Sequence, residues 1–454
     1  MKRPDGVWRR SAVVVLTAGA VTTVAAVHAQ TPAAPRPQPN AAGTALTVTT
    51  QRRIDPRSAF FASLGANGRT CGSCHLESDG WSLTPETAQA KFAATGGADP
   101  IFRTNDGSNA PGLDVSTPDA RRSAFSLLLN RAVIRIGLPV PAGAEFRLVE
   151  ADDPYGFATA AELSLFRRPL PAANLKFHPV IMWDGRETRP GLSAGQVLAN
   201  QAAGATTGHA QAPARPADAA LTQIVGFETA LFHAQKTDRV AGALDSGGVK
   251  GGPTTLSRQR FAPGINDPFA AGFDPNVFQI FAGFARPRRG TPANVAERRR
   301  QIAQGEAIFN AKRFFVRDVP GLNDDRGQPV VTATCGTCHN APGVGSSSVG
   351  AFQNIGVSDA DRRTPDVPLY TFEHNTTGER VQITDPGRAL ISGRWRDMGR
   401  FKVPSLRGLA ARRPYFHDGS AATLRDVVDF YNRRFSINLS PGEQEALTAF
   451  MEAL

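Results

Sequence analysis

Sulfur and aromatic donors are scarce in this chain. Its 454 residues include four cysteines, four methionines, four tryptophans, four tyrosines and eight histidines. Few side chains are therefore able to bind a metal axially, and they can be enumerated. Long apolar runs are also missing: beyond the first thirty residues nothing approaches a membrane span. No block of Lys and Arg with interleaved aromatics occurs, which argues against a nucleic-acid partner. Strand signals are few, whereas Gly (44) and Pro (34) are plentiful, so the expectation is mostly α structure with long irregular loops. The formal net charge is +11. Spread thinly, it is suited to steering an acidic protein partner or to solubility alone.

The chain opens like an export signal. Lys2, Arg3, Arg9 and Arg10 precede the apolar run "SAVVVLTAGAVTTVAAV", and "VHA" at Val27–Ala29 offers a small-x-small cleavage site. Residues 1–29 are read as a signal peptide for the periplasm, with a retained membrane anchor as the competing reading. With Asp5, that segment carries a net +3 and leaves about +8 on the rest. Residues 30–45 are Pro/Ala-rich and read as a flexible leader.

All four cysteines fall in two copies of one word, "TCGSCH" at Thr70–His75 and "TCGTCH" at Thr334–His339. Cys-x-x-Cys-His is the attachment word of haem c. Two thiols one turn apart add to the two vinyl groups of one porphyrin, and the adjacent histidine ligates iron from below. A thioredoxin-like pair would want a βαβ setting, and a zinc site would have to join distant halves of the chain. Two local disulfides would leave both histidines unexplained. The words therefore predict two covalently bound haem c groups, attached through Cys71, Cys74, Cys335 and Cys338, with His75 and His339 as iron ligands.

Two cytochrome c-like helical domains follow from that placement, at residues 46–290 and 291–454. "SAFFASLGANGRTCGSCH" reads as a short helix, a loop and the first haem word. "RRRQIAQGEAIFNAKRFF" reads as a stronger helix, with Ile302, Gly305, Ile308 and Phe309 on one face. The basic stretch "ARPRRGTPANVAERRR" marks the boundary. Near the end, "SAATLRDVVDFYNRRF" carries Leu424, Val427, Val428 and Tyr431 on one face with Ser420 as N-cap, and "SPGEQEALTAFMEAL" is capped by Ser440.

At two further places the chain resembles a known family. "MWDGRE" at Met182–Glu187 is similar to the Trp-Asp-Gly-Arg segment of the bacterial di-haem cytochrome c peroxidase and MauG family. "FKVPSLRGLAARRPYFHDGSAATLRDVVDFY" at Phe401–Tyr431 resembles the C-terminal haem domain of that family. The resemblance runs from about residue 55 to the end and is strongest over the last 60 residues. It implies that peroxide reacts at the His75 haem, that electrons enter at the His339 haem, and that Trp183 lies between the two.

The same resemblance implies a sixth ligand for the second haem, fourteen residues beyond His417. That position is Tyr431, the MauG type, with Met398 as the rival. His417 itself reads as a pocket residue. Classical members place a histidine on a loop between the first haem word and the tryptophan. Here none occurs between Leu76 and Phe177, and His178 is set aside as too close to Trp183, so the first haem is expected to be five-coordinate and open. The family's distal glutamate is missing from "NQAAGATTGHAQ" at Asn200–Gln211. His209 is the candidate acid/base in its place, with Gln201 and Gln211 beside it and Glu228 and His233 in reserve. Calcium between the domains is a further implication, with Asn174 and Pro414 near the corresponding places.

The function expected is a periplasmic di-haem peroxidase. It would reduce hydrogen peroxide with electrons from a small, acidic donor protein, a cytochrome c or a cupredoxin. A MauG-like oxidase of a protein side chain and a di-haem electron carrier without substrate are the alternatives.

Overall fold

Helices and strands alternate along the whole computed structural model, which describes Met1, residues 36–51 and residues 53–454. The signal expected at 1–29 and the first part of the leader lie outside the described residues. From residue 36 onward the described chain forms one compact unit. No helix among the described residues is long and apolar enough to cross a membrane.

The expectation of a mostly α molecule built from two cytochrome c-like helical domains is overturned. Eleven α-helices and thirteen strands occur among the described residues, and the strands form five separate sheets. Helix accounts for 32% and strand for 16% of residues. The strands are short, and the two most extensive pairings join segments far apart in the chain. Gly43–Thr49 runs antiparallel to Leu231–Asp238, and Phe146–Asp152 runs antiparallel to Leu369–His374. A strand stabilised by a remote partner carries little local signature, because its propensity depends on what it packs against. The second pairing also links chain on either side of residue 290.

The helices of the C-terminal part follow their sequence patterns. Ala293–Ala311 buries Ile302, Gly305 and Phe309, with Ile308 partly covered beside them. It lies against the final helix, Pro441–Glu452. Ser440 caps that final helix: its hydroxyl accepts from the Glu443 amide, and the Glu443 carboxylate accepts from the Ser440 amide. The preceding helix, Leu424–Arg434, starts later than expected. Thr423, not Ser420, is its cap, in a reciprocal pair with Asp426, while the Ser420 hydroxyl accepts from Arg362. The expected helix before the first haem word is reduced to one 3-10 turn, Ala59–Phe61.

One buried ion network organises the middle of the molecule. Arg167, at the end of the strand Leu163–Arg167, donates through Nη1 to Asp184 Oδ2 (2.5 Å). It also donates through Nε and Nη2 to the two oxygens of Asp385 (2.7 and 2.8 Å). All three side chains are almost wholly buried. Arg186 adds a further bond to Asp184. Three distant segments are thereby pinned, and the turn carrying Trp183 is one of them. Burial alone would push the Asp184 carboxyl up, but Arg167 and Arg186 hold it down at about 2.

A carboxylate depressed in the folded state adds stability above its unfolded pKa, near 4, and that stability is lost as pH falls through the folded value. Replacing Asp184 by Asn leaves Arg167 short of one counter-charge. The unfolding free energy at pH 7 should drop by about 3–5 kcal/mol, and the gap to wild type should narrow between pH 4 and pH 2. Urea denaturation at both ends of that range is the check, and a gap equal at pH 7 and pH 2 would refute the assignment.

Candidate functional site: two histidine-bearing cavities that meet at Trp183

The two haem words fold alike because they share more than cysteine and histidine. Each begins with a threonine whose amide donates to the hydroxyl three residues on: Thr70 to Ser73 Oγ and Thr334 to Thr337 Oγ1, both at 3.0 Å. This reciprocal cap starts one tight turn, Cys71–Ser73 or Cys335–Cys338. The intervening glycine is required by contact. A Cβ on Gly72 would sit 2.7 Å from the Phe61 ring, and one on Gly336 would sit 2.8 Å from Val277. In each turn both thiols are partly buried and free of any disulfide.

Each turn forms part of the wall of a separate cavity. The two cavities are of similar size. Inside each, the imidazole is held by a backbone carbonyl. His75 Nδ1 lies 3.0 Å from the Trp81 oxygen and His339 Nδ1 lies 2.6 Å from the Gly345 oxygen. A carbonyl can only accept, so Nδ1 carries the proton and Nε2 keeps its lone pair for the cavity. Burial favours the neutral ring at both positions. It brings His339 down to about 4, and at His75 it is partly offset by the Trp81 carbonyl. Two adjacent thiols, a neutral imidazole with a bare nitrogen and a largely apolar wall fit a covalently attached haem c at each cavity.

The walls opposite differ. In the first cavity the helix Ala194–Gly208 ends at His209, its C-cap residue. His209 Nδ1 lies 2.5 Å from Asp106 Oδ2, and Asp106 also pairs with the buried Arg69. Arg69 is anchored by the carbonyls of Pro100, Ile101 and His209. Burial would raise the Asp106 carboxyl, but the bond and charge of His209 and the charge of Arg69 hold it below its usual range. Facing an ionised Asp106, His209 carries a proton on Nδ1, and whenever the ring is neutral Nε2 is the acceptor. Gln201 also lines this cavity. Gln211 does not. It is exposed, sits in a left-handed turn just past the helix and accepts from Asn67. His178, set aside by the sequence analysis, does line the cavity, with Nδ1 3.3 Å from Lys402 Nζ.

In the second cavity two tyrosines reach the wall. The Tyr415 hydroxyl is already used, donating to the Leu409 carbonyl at 3.0 Å. Tyr431 has no protein partner for its hydroxyl among the described residues. Met398 is absent from this wall: it is packed in a different cluster with Phe372, Ile383 and Leu390. His417 lines the wall, stacked on Phe401 at 4.1 Å and edge-on to Trp183 at 6.3 Å.

Trp183 belongs to both cavities and is the one aromatic side chain that does so among the described residues. Its Nε1–H donates to the Arg168 carbonyl (2.9 Å), and its own carbonyl accepts from the Lys402 amide. Both ring position and ring plane are thus set by backbone bonds next to the Arg167 network.

Of the reserve candidates, Glu228 lines the first cavity and His233 does not. His233 is buried against Thr47, 3.1 Å away. The Asn174 amide is used on the His233 backbone in both directions, so it ties a loop to a strand rather than offering a side-chain donor to calcium. No group of three or more His, Cys, Asp or Glu side chains suited to an ion occurs among the described residues.

Sequence reasoning missed Asp106 and Arg69. Arg69 stands two residues before Cys71, a hint available in the chain. Asp106 lies in an unremarkable loop, "RTNDGS", and nothing local marks it as buried.

Glu228 Oε2 has no hydrogen-bond partner, and burial pushes this carboxyl up to about 8. A carboxyl raised in the folded state costs stability as pH climbs from its unfolded pKa, near 4.3, towards 8, because only the unfolded chain then ionises. Relative to Glu228→Gln, wild type should lose up to about 1.4 kcal/mol per pH unit between pH 5 and pH 8. Unfolding curves for both proteins that run parallel over that range would show that Glu228 ionises freely.

The comparisons with known proteins accord with this geometry. No family model matches the chain. It is 37% identical over 133 residues to the cytochrome-c peroxidase IdrP2 of Denitromonas iodatirespirans, covering 26% of this chain and 35% of that protein. It is 27% identical over 230 residues to the cytochrome-c peroxidase IdrP1 of a Pseudomonas strain, covering 45% and 57% respectively. The methylamine utilization protein MauG of Paracoccus denitrificans is 26% identical over 268 residues, covering 58% of this chain and 55% of MauG. The matches span from about a third to just over half the length of these relatives. By sequence, the chain is related to the bacterial cytochrome-c peroxidases and to MauG.

Proposed function

We propose that this chain is an exported, periplasmic di-haem c-type peroxidase that reduces hydrogen peroxide with electrons from a small acidic redox protein. Residues 46–290 would carry the peroxide-reacting haem and residues 291–454 the electron-entry haem. The observation that carries the reading is the asymmetry of two otherwise matched cavities. One cavity is lined by an acid/base pair, His209 and Asp106, as well as by His75. The other holds an unpartnered tyrosine, and Trp183 closes both.

When bound, the haem at His75 supplies an iron that takes up peroxide and delivers electrons to it, and the haem at His339 relays electrons from the donor. The chain's own part is positional and acid/base. His209 Nε2 would take the proton from one peroxide oxygen and return it to the other, so that the O–O bond breaks with loss of water, the bound haem supplying the electrons. Asp106 holds the imidazole in the tautomer this requires and stabilises it while charged. Two electrons and two further protons complete the reduction to a second water. Trp183, large and oxidisable, is placed to pass single electrons between the cavities. A basic surface would attract an acidic donor.

A MauG-like variant, drawing its electrons from a partner's side chain, is favoured by one observation. Tyr431 presents a free hydroxyl to the second cavity where the classical peroxidases have methionine.

Mixing purified holoprotein with one equivalent of hydrogen peroxide and following the haem absorption on the millisecond scale tests the proposal. A rapid change at one haem is expected, slowed about 10²–10⁴-fold in His209→Ala. Tyr431→Phe should alter the spectrum of the other haem and leave the second-order rate with peroxide within about threefold of wild type. If both haems stay unchanged in peroxide, in oxidised and in half-reduced protein alike, the carrier reading replaces this one.

A further inference from the structure

Three cationic residues line both cavities: Arg168, Lys402 and Arg412. Arg168 and Lys402 are buried, at 5% and 6% exposure. Among the described residues their polar hydrogens go to backbone carbonyls and to no carboxylate. Arg168 donates to the carbonyls of Arg131, Leu83 and Arg412. Lys402 Nζ donates to the Val180 carbonyl at 3.0 Å and faces His178 Nδ1. Arg412 Nη2 donates to the Ser405 carbonyl at 2.5 Å, and its Nε has no partner at all.

The contrast with the adjacent Arg167 is instructive. That guanidinium is closed by two aspartates. A buried cation without a counter-charge is expensive, and here two of them lie beside a third, partly buried one. Burial brings Arg168 down to about 9, Lys402 to about 7 and Arg412 to about 10, and the charge of Arg412 further depresses the other two. The cluster is positive, dehydrated and short of anions, and its residues border the two spaces that fit a haem.

We propose that Arg168, Lys402 and Arg412 form one shared seat for the carboxylates projecting from both cavities, the propionate groups of the two haem c molecules. This rests on the di-haem reading above. The seat would orient each ring with its propionate edge towards Trp183 and would couple the two irons electrostatically through common charges. Lys402 is the member best suited to report on it. Its backbone amide bonds the Trp183 carbonyl, and the residue lines both cavities.

The test uses intact holoprotein. Haem content per chain is measured first, then the midpoint potential of each haem by spectroelectrochemistry, for wild type, Lys402→Met and Lys402→Arg. Methionine removes a buried charge and keeps the length, so the fold is retained. Loss of a positive charge beside an anionic group favours the oxidised iron. Both haems should therefore become harder to reduce, each equilibrium constant falling roughly tenfold, which is about 59 mV for one electron. Lys402→Arg should restore both to within about threefold of wild type. Two haems per chain with either potential unmoved in Lys402→Met would overturn the shared seat and leave the di-haem reading standing. A purified chain without covalent haem would overturn both.

Discussion

The middle of the structure depends on an arginine that has nowhere to go. Arg167 is buried at the end of a short strand, and its guanidinium requires anions around it. Asp184 and Asp385 supply them from two other segments, so strand end, Trp183 turn and the loop before Arg388 are drawn to one point. Removing any one of the three charges leaves a partner short of counter-charge in a low-dielectric interior. The next residue, Arg168, carries the same group in a different circumstance, bound to backbone carbonyls and to no carboxylate among the described residues.

Two identical local devices acquire different chemistry from their surroundings. Both haem words use the same kind of cap, a glycine packed on a neighbouring side chain and an imidazole-to-carbonyl bond. Within the words only Ser73 and Thr337 differ. Distinction comes from the far walls, where a helix end brings His209 to Asp106 in one cavity and the helix Leu424–Arg434 brings Tyr431 to the other. An acid/base pair suits the handling of protons, and a free phenol suits a hard anionic ligand. The proposed separation of peroxide chemistry from electron entry is therefore a property of packing around the words.

How much of this was legible in advance varies with the range of the interaction. Cap motifs, the amphipathic face of Ala293–Ala311 and the paired attachment turns are governed by neighbours three or four residues apart, and they could be read directly. The mixed α/β character could not. Gly43–Thr49 and Leu231–Asp238 are strands because each satisfies the other's backbone, and neither shows it alone. Gln211 looked equivalent to Gln201 along the chain, yet a left-handed turn after the helix end carries it out to solvent. His178 looked too close to Trp183, yet the turn between them folds back and leaves both on the same wall.

The sequence by itself determined the covalent chemistry: four thiols and two histidines at fixed spacing, in a chain with few other metal donors. It also determined the candidates for every remaining ligand, simply by their scarcity. Only the tertiary structure sets where those candidates sit. It left the Tyr431 hydroxyl free and used that of Tyr415, it packed Met398 in another cluster, and it joined His209 to an aspartate 103 residues away. The reason is physical. Spacing along a chain constrains which groups share one turn, whereas burial, which sets both the charge state and the availability of a group, is a sum over neighbours that the chain brings together from everywhere.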